Sequence, residues 1–174
     1  SMRQLMQDSL DEAESAINDY TRRQFAGTAG TVKYNRFSQR LVKNQSLYLQ
    51  EDIFSLEGLV NGDGQVIPVG SVWLEPRNAG PPYRLLRLHS AYVYVWNTDS
   101  DIIISGTFGF STVPPAAISR ACVELGAYFF RIKDVGPTDT AGLNAAGEVV
   151  YPKDMPDYIK GKLNPYKSRS GGVV

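Results

Sequence analysis

The feature that most restricts the fold of this chain is an apolar helical segment at residues 115–133. Its apolar residues recur at spacings of three and four and so form one wide stripe: Ile118, Ala121, Cys122, Leu125, Tyr128, Phe129 and Ile132. Pro115 suits the first turn of a helix, where its missing N–H donor would have no partner in any case. A stripe this wide must be buried against another element. The sequence therefore predicts a long helix that packs against a second one.

The predicted partner is a helix at residues 4–25, which has an apolar face formed by Leu10, Ala13, Ile17 and Tyr20. Carboxylates crowd its early turns, at the end of the helix dipole that favours negative charge. Gly27 and Gly30 then end the helical pattern. A third, short helix is predicted at residues 157–163.

Residues 31–110 have the pattern of β-strands. Short segments rich in β-branched and aromatic residues alternate there with turn sequences such as NGDG and NTDS. The strand candidates include residues 47–50, 53–60, 84–88, 91–96 and 101–110. We therefore predict an α+β fold: a small helical bundle of two long helices and a short C-terminal helix, with an antiparallel β-sheet or small barrel inserted between the long helices.

The whole chain, residues 1–174, is predicted to be a single domain that contains the 31–110 insertion. Residues 135–152 are small, polar and glycine-containing, and we expect a long loop or mobile arm there. Residues 153–174 form a C-terminal segment that ends in the sequence SRSGGVV.

The overall charge limits the classes of partner. The 18 basic and 18 acidic residues balance, so a bulk attraction to nucleic acid or to an anionic membrane has no support. No apolar run approaches the roughly 20 residues that cross a bilayer, and we expect no secretion signal at the N-terminus. The single cysteine excludes an internal disulfide.

The charges are nevertheless unevenly distributed along the chain. Residues 1–20 carry five acidic residues and one basic residue, whereas residues 21–44 contain no acidic residue and six basic ones: Arg22, Arg23, Lys33, Arg36, Arg40 and Lys43. Such segregation is typical of separate solvated faces. It also permits an acidic face of one subunit to meet a basic face of the next.

Patterns for catalysis and metal binding are weak. His89 is the single histidine, and Cys122 lies in the apolar helical stripe, where burial disfavours the reactive thiolate. The NGDG sequence at residues 61–64 lacks the spaced acidic ligands of a calcium loop and is better explained as a hairpin turn. The acidic stretch at residues 97–101 is also typical of a turn. We expect no catalytic role.

The order of these segments resembles that of the head–tail connector (adaptor) proteins of tailed bacteriophages. The resemblance covers nearly the whole chain and rests on the sequences ESAINDYTRRQF, ISGTFGFSTVPPAAISRACVELGAYFFRIKD and LNPYK. The residues that carry it are Ile17, Tyr20, Thr21, Arg23, Phe25, Gly106, Gly109, Phe110, Pro115, Ile118, Ala121, Leu125, Tyr128, Arg131, Lys133, Asp134, Leu163, Pro165 and Tyr166.

Three glycines lie within the segments that carry this resemblance. Gly106 and Gly109 lack the Lys and Ser/Thr of a phosphate-binding loop, and we expect them to relieve strand curvature or a bulge. Gly126 replaces a more usual alanine, which costs up to about 1 kcal/mol of helix propensity unless close packing requires it. A second departure from the family pattern is that members often begin with another short helix, whereas the given sequence begins almost directly in the helix that contains Ile17 and Tyr20.

The resemblance implies a structural protein of the virion neck, assembled in the host cytoplasm. It implies a homo-oligomeric ring of about twelve copies that joins the portal protein to the tail or to a head-completion protein. Such a ring extends the channel through which DNA passes without sequence-specific binding. The resemblance implies no catalysis, no cofactor and no membrane partner.

Two sets of residues are candidates for contacts in such an assembly. By analogy, the C-terminal segment docks to the portal, with candidate residues Tyr158, Ile159, Leu163, Tyr166 and Lys167. Alternatively, these side chains cover the protein's own core. The six basic residues of segment 21–44 are candidates for lining the channel or for facing an acidic neighbouring subunit.

Two other classes of protein stay open at this point. A carbohydrate- or receptor-binding β-sandwich or barrel would use an aromatic surface drawn from Tyr34, Tyr48, Trp73, Tyr83, Tyr92, Tyr94 and Trp96. The alternation in AYVYVW argues that half of the aromatic residues in this set point inward, which weakens this alternative. A small hydrolase would need a cleft with carboxylates of perturbed pKa.

Overall fold

The computed structural model describes residues 1–34, 41–89, 93–135, 142–143, 149–150 and 155–168. Its α-helices are α1 (Met2–Thr21), α2 (Ala116–Val135) and α3 (Asp157–Leu163). Its strands are β1 (Thr28–Tyr34), β2 (Val42–Lys43), β3 (Ser46–Val60), β4 (Val72–Glu75), β5 (Tyr83–Leu88), β6 (Ile102–Phe108), β7 (Gly142–Leu143) and β8 (Val149–Val150). The predicted α+β class is confirmed.

The chain divides into two compact units. The helical unit consists of Ser1–Arg22 together with the described part of Pro115–Arg169. In it, α2 packs against both α1 and α3. Its core is built from apolar residues of all three helices and of the turn before α3: Ala13, Ile17, Ile118, Ala121, Leu125, Phe129, Met155, Ile159 and Leu163.

The second unit, Arg23–Pro114, contains a six-stranded antiparallel sheet. Its strands follow the order β1-β6-β3-β5-β4, and β2 pairs with β3. Within the described residues no ladder joins β1 to β4, so the sheet is open and the alternative of a closed barrel is wrong. The inward-facing residues form one apolar cluster that includes Leu47, Ile53, Leu86, Ile102 and Ile104.

Strand β3 is the longest strand and changes partner along its length. Its first half pairs with β5, whereas its second half pairs with β6. The register shifts twice along the β3–β6 ladder, between Ile53 and Ser55 and again between Leu56 and Gly58. Such bulges bend a strand and increase its twist. One strand thereby contributes to two halves of the sheet.

The predicted helix boundaries are partly correct. Helix α1 begins at Met2 and ends at Thr21, four residues before the predicted end. Arg22 adopts a left-handed conformation at φ 53° and donates its N–H to the carbonyl of Asn18, which closes the last turn. Helix α2 begins at Ala116, one residue after the predicted start, and ends at Val135, two residues after the predicted end. Helix α3 has the predicted bounds.

The prediction of a strand at residues 91–96 is wrong for the part that the structure describes. Residues 93–96 form no ladder. Instead, the side-chain amide of Asn61 donates to the carbonyl of Val95 and accepts the N–H of Asn97, at 2.8 and 2.9 Å. The predicted alternation is still present, because Val93 and Val95 are exposed whereas Trp96 is buried. A side chain thus replaces the expected backbone partner.

Two further segments were predicted as turns or loops. The turn at residues 61–64 forms, since the N–H of Gly64 bonds to the carbonyl of Asn61 and an antiparallel bridge links Val60 to Val66. In segment 135–152, the described strands β7 and β8 pair with each other. Val135 is the last residue of α2, and the rest of that segment lies outside the described residues. In the described part of the chain, no helix combines the length and the apolar character that a membrane span requires.

Candidate docking and channel residues

The chain enters and leaves the β unit through two adjacent segments. The N–H of Phe110 donates to the carbonyl of Gln24, and the N–H of Gly27 donates to the carbonyl of Ser111, both at 2.8 Å. The rings of Phe25 and Phe110 lie 5.5 Å apart. We call residues 23–27 and 108–111 the junction. The junction brings the first and last residues of the β unit into direct contact. The contacts at the junction therefore offset the entropic cost of closing this long insertion.

A buried ion-pair cluster lies beside the junction. The carboxylate of Asp52, whose side chain is 2% exposed, contacts Arg23 at 2.7 Å and Arg84 at 3.0 Å. The guanidinium of Arg23 also lies 5.3 Å from the ring centre of Phe110. Separating the partners of a buried cluster would leave an uncompensated charge in the interior, which is strongly destabilising. The cluster therefore favours the local arrangement in which all three side chains stay in contact. Arg23 therefore has a structural role within its own chain.

Two glycines of the resemblance are explained by close backbone approach. A β-carbon at Gly106 would collide with the carbonyl oxygen of Ser55, since Gly106 pairs with Leu56 between the two register shifts of β3. Gly109 has φ +133°, and a β-carbon there would lie 2.9 Å from the carbonyl oxygen of Ala26. The expectation that they accommodate a bulge applies to Gly106, whereas Gly109 permits the close contact of the junction.

The six basic candidates do not form one group. Arg23 is taken up by the ion-pair cluster. Arg22 is exposed after α1, and Lys33 and Lys43 are exposed on β1 and β2. The remaining two, Arg36 and Arg40, lie outside the described residues. The role of the exposed candidates in a channel or an interface stays a prediction.

The C-terminal docking candidates separate into buried and exposed residues. Ile159 and Leu163 have no exposed surface and belong to the core of the helical unit. A partner protein cannot contact them without displacing that core, so the interpretation that they cover the protein's own core holds for these two. Tyr158 is 58% exposed, Lys167 is exposed, and Tyr166 is half-buried. Docking through the exposed residues stays a prediction.

The C-terminal segment also covers the end of α1, a contact that the sequence reasoning missed. The hydroxyl of Tyr20 donates to the side-chain carbonyl of Asn164 at 2.8 Å, and the N–H of Ser168 donates to the carbonyl of Thr21 at 2.8 Å. The ammonium of Lys167 lies 3.8 Å from the ring centre of Tyr20. These contacts satisfy a terminal carbonyl and place a cation near the negative end of the helix dipole. The LNPYK sequence, which is part of the resemblance, was the signal in the sequence that could have revealed this contact.

The two residues considered for catalysis, His89 and Cys122, are engaged in packing contacts or partly buried. The imidazole of His89 packs edge-on against Trp73, with ring centres 4.3 Å apart. Burial raises the pKa of the Cys122 thiol, and the nearby carboxylates of Glu14 and Asp11 raise it further. A raised pKa leaves less thiolate at neutral pH, so Cys122 is a poor nucleophile. Among the described residues, no group of three His, Cys, Asp or Glu side chains is placed to hold a metal ion.

The aromatic residues of the alternative binding module are mostly engaged in the fold. Tyr34 and Trp96 are 4% and 7% exposed, and the indole N–H of Trp96 donates to the carbonyl of Gln45. Arg77 lies 4.1 Å from the ring centre of Trp73. A ring whose face is covered by a guanidinium does not offer that face to a sugar. Tyr92 lies outside the described residues.

Comparison with known proteins places the fold. No protein-family model matches the chain, and no curated protein matches it in sequence. Solved structures do match. A chain in the neck of an empty GTA particle, computed with C6 symmetry, has a TM-score of 0.62 and 16% identity, over 96% of this chain and 80% of that chain.

Two further structures agree with this match. A chain in the neck of a native GTA particle, computed with C12 symmetry, has a TM-score of 0.63 and 14% identity, over 96% of this chain and 84% of that one. A chain in the virion of a native gene transfer agent particle has a TM-score of 0.61 and 16% identity, over 96% and 79%. The sequence-based resemblance to neck proteins of phage-like particles is thereby confirmed at the level of the fold.

Proposed function

We propose that this chain is a structural protein of the neck of a phage-like particle, with no catalytic activity. The observation that carries the proposal is the fold shared with chains of GTA particles over 96% of the sequence. The sequence motifs support it independently, because Arg23, Phe25, Gly109 and Phe110 meet at the junction. Residues chosen for local architecture, rather than for chemistry, are typical of a scaffold.

In this proposal the protein acts as a homo-oligomeric ring of about twelve copies. Support comes from the structurally similar chains, which belong to necks of GTA particles computed with C6 and C12 symmetry. The ring extends the DNA channel and passes DNA without sequence-specific binding, in agreement with a net charge of zero. A strongly basic channel would retain DNA through salt-dependent phosphate contacts.

We further propose that the parts of the chain have separate tasks. The helical bundle is the scaffold, and the 31–110 insertion extends the channel or contacts the next protein. The C-terminal segment, residues 153–174, docks to the portal, and the arm at residues 135–152 takes part in contacts within the assembled neck. The tail or a head-completion protein binds the opposite end. The protein is assembled in the host cytoplasm and resides in the virion neck.

The exposed candidates carry the specific contacts of the proposal. Tyr158 and Lys167 are the docking residues, because they combine an aromatic side chain and a cation with accessible surface. Aromatic residues are enriched at the centres of interfaces. Arg22, Lys33 and Lys43 are the residues that face the channel or a neighbouring subunit.

Light scattering over a concentration series, with negative-stain images of the same samples, tests the ring. The purified chain is measured alone and mixed with purified portal protein of the same particle. Closed rings with six- or twelvefold symmetry, in either sample, are the expected result. A chain that stays monomeric alone and does not bind the portal would overturn the proposal.

The docking residues are tested by the substitutions Tyr158→Ala and Lys167→Glu, and Ile159→Ala, at the neighbouring buried position of α3, is the contrasting variant. Tyr158→Ala is expected to weaken portal binding at least tenfold and to change the free energy of unfolding by less than about 0.5 kcal/mol, since the side chain is exposed. Ile159→Ala is expected to destabilise the protein by about 2–5 kcal/mol, since the side chain is fully buried. Unchanged portal binding by Tyr158→Ala and by Lys167→Glu would remove this segment from the docking surface.

A further inference from the structure

The outward face of α2 is unusual for a surface helix. The residues that point away from its buried stripe are mostly small or apolar, and all are exposed: Ala116, Ser119, Arg120, Val123, Ala127 and Arg131. The side chain of Val123, for example, is 61% exposed. A surface helix normally carries charged and polar residues on its outer face, and a helix that is apolar on all sides is normally buried. This face therefore has the composition of a contact surface.

Two arginines frame this face. Arg120 and Arg131 are exposed, and neither forms an ion pair with an acidic side chain among the described residues. The other described charges of α2 are used inside the helical unit, since Lys133 pairs with α1 and Glu124 pairs with α3. The arginines are thus the charges of α2 that have no such internal role.

A different face of the same unit has the opposite charge. Helix α1 carries five acidic residues and one basic residue. Asp8 and Asp19 lie on one exposed side of α1, and the small residue Ser15 lies between them. Asp8 accepts a hydrogen bond from Gln4 of its own helix, and neither aspartate forms an ion pair with a described residue.

The two faces match in spacing. Arg120 and Arg131 are separated by three helical turns, and so are Asp8 and Asp19. At 1.5 Å per residue, each pair spans about 16 Å along its helix axis. A small residue follows seven positions after the first charge in both helices, namely Ala127 in α2 and Ser15 in α1. Small side chains at the centre let two helices approach closely, while the ends supply opposite charges.

We propose that the outward face of α2 in one copy of this chain binds the acidic side of α1 in the next copy. This inference rests on the proposed function and specifies its subunit interface. The two arginines pair with the two aspartates, and Val123 and Ala127 are covered by the neighbouring helix. The two surfaces are different, so the contact is heterologous, and repetition of a heterologous contact closes into a ring when its rotation fits.

Charge reversal on each face tests the interface. The variant Arg120→Glu/Arg131→Glu and the variant Asp8→Lys/Asp19→Lys are each expected to assemble at no less than tenfold higher concentration than the wild type. Like charges then oppose each other across the contact. Wild-type rings are expected to dissociate as salt rises, since exposed charges are screened over about 8–10 Å.

Mixing the two variants gives a sharper result. The reversed face of each variant is complementary to the reversed face of the other, and their unchanged faces are complementary as well. Equal amounts are therefore expected to restore rings in which the variants alternate, and the chain with all four substitutions is expected to assemble alone. The matched control is Arg3→Glu/Arg87→Glu, which makes the same change of charge at two exposed positions outside both faces.

The outcomes separate this interface from the proposed function. If the wild type forms rings and both charge-reversal variants form them equally well, the interface is overturned while the neck function stands. Failure of the mixture to recover, with both variants folded by circular dichroism, also overturns it. A wild-type chain that never assembles, alone or with the portal protein, overturns the ring and the interface together.

Discussion

A β-carbon placed on Gly126 of α2 would lie 2.7 Å from the Cδ2 atom of Leu10 of α1. It would also lie 3.4 Å from the Cα atom of Leu10, so the backbone of α1 passes close to this position. The thiol of Cys122, one turn earlier in α2, lies 3.9 Å from the carbonyl oxygen of Leu10. The two long helices are therefore in close contact where the sequence has glycine in place of an expected alanine.

Gly126→Ala is expected to lower the free energy of unfolding by about 1 kcal/mol. The gain in helix propensity is up to about 1 kcal/mol, but Leu10 must move within a packed interface, which costs about 1–3 kcal/mol. Gly161→Ala in α3 is the matched control, because a β-carbon there meets no atom within 4 Å. That control is expected to stabilise the protein by up to about 1 kcal/mol. Urea unfolding of both variants measures the difference, and equal stabilisation of both would contradict the proposed close packing.

Asp52→Asn is expected to lower the free energy of unfolding by about 2–3 kcal/mol. The carboxylate is buried and compensates the guanidinium groups of Arg23 and Arg84. Loss of one member of a buried pair costs about 3–5 kcal/mol, and the partial exposure of Arg84 reduces that cost. Glu57→Gln, at an exposed position of the same strand, is the control and should change stability by less than about 0.5 kcal/mol. Equal effects in urea unfolding would show that the cluster has no special role.

Gly106→Ala is expected to destabilise the β unit by about 2–3 kcal/mol, since the new β-carbon would collide with the backbone of β3 and force the strands apart. Gly30 provides a close control, because it pairs directly with Gly106 across the β1–β6 ladder and a β-carbon on it meets no atom within 4 Å. Gly30→Ala should therefore stay within about 0.5 kcal/mol of the wild type. Thermal unfolding with a far-ultraviolet probe distinguishes the two, and a harmless Gly106→Ala would place the β3 bulge elsewhere.

Stability is expected to fall at alkaline pH because of Tyr34. Burial raises the pKa of its hydroxyl above the ordinary value, and the hydrogen bond to Glu51 and the charge of that carboxylate raise it further. The unfolded chain loses this proton near pH 10, whereas the folded chain keeps it, so the contribution is complete below pH 10 and declines above it. The slope is about 1.4 kcal/mol per pH unit for one such group.

Tyr34→Phe checks the origin of this slope. The variant is expected to be about 1 kcal/mol less stable at pH 8, because the hydrogen bond to Glu51 is lost, and to have a smaller decline between pH 10 and 11. Tyr158→Phe, at an exposed position, is the control and should retain the wild-type decline. If both variants decline as the wild type does, Tyr34 is not the responsible group.

Local sequence patterns were sufficient for most secondary structure. The strand at residues 102–108 was predicted closely from its β-branched residues, and the bounds of α3 were predicted from Pro156 near its start and Pro165 beyond its end, which are local signals. The end of α1 was predicted four residues too late, because residues 23–25 are drawn into the junction by residues more than 80 positions away. The strand predicted at residues 91–96 is absent over its described part, residues 93–96, for a similar reason, since Asn61 provides hydrogen bonds that no local pattern reveals.

The sequence by itself determined the α+β class, the wide apolar stripe of α2 and the set of residues that carries the resemblance to neck proteins. Those features depend on periodicity and composition, which are local. The tertiary structure decided which candidates have accessible surface. Ile159 and Leu163 became core residues, Arg23 became the partner of Asp52, and Arg120 and Arg131 were left on an exposed face. Burial and ion pairing depend on which distant segments of the chain come into contact. The sequence alone does not show whether an apolar or charged residue contacts its own chain or another chain.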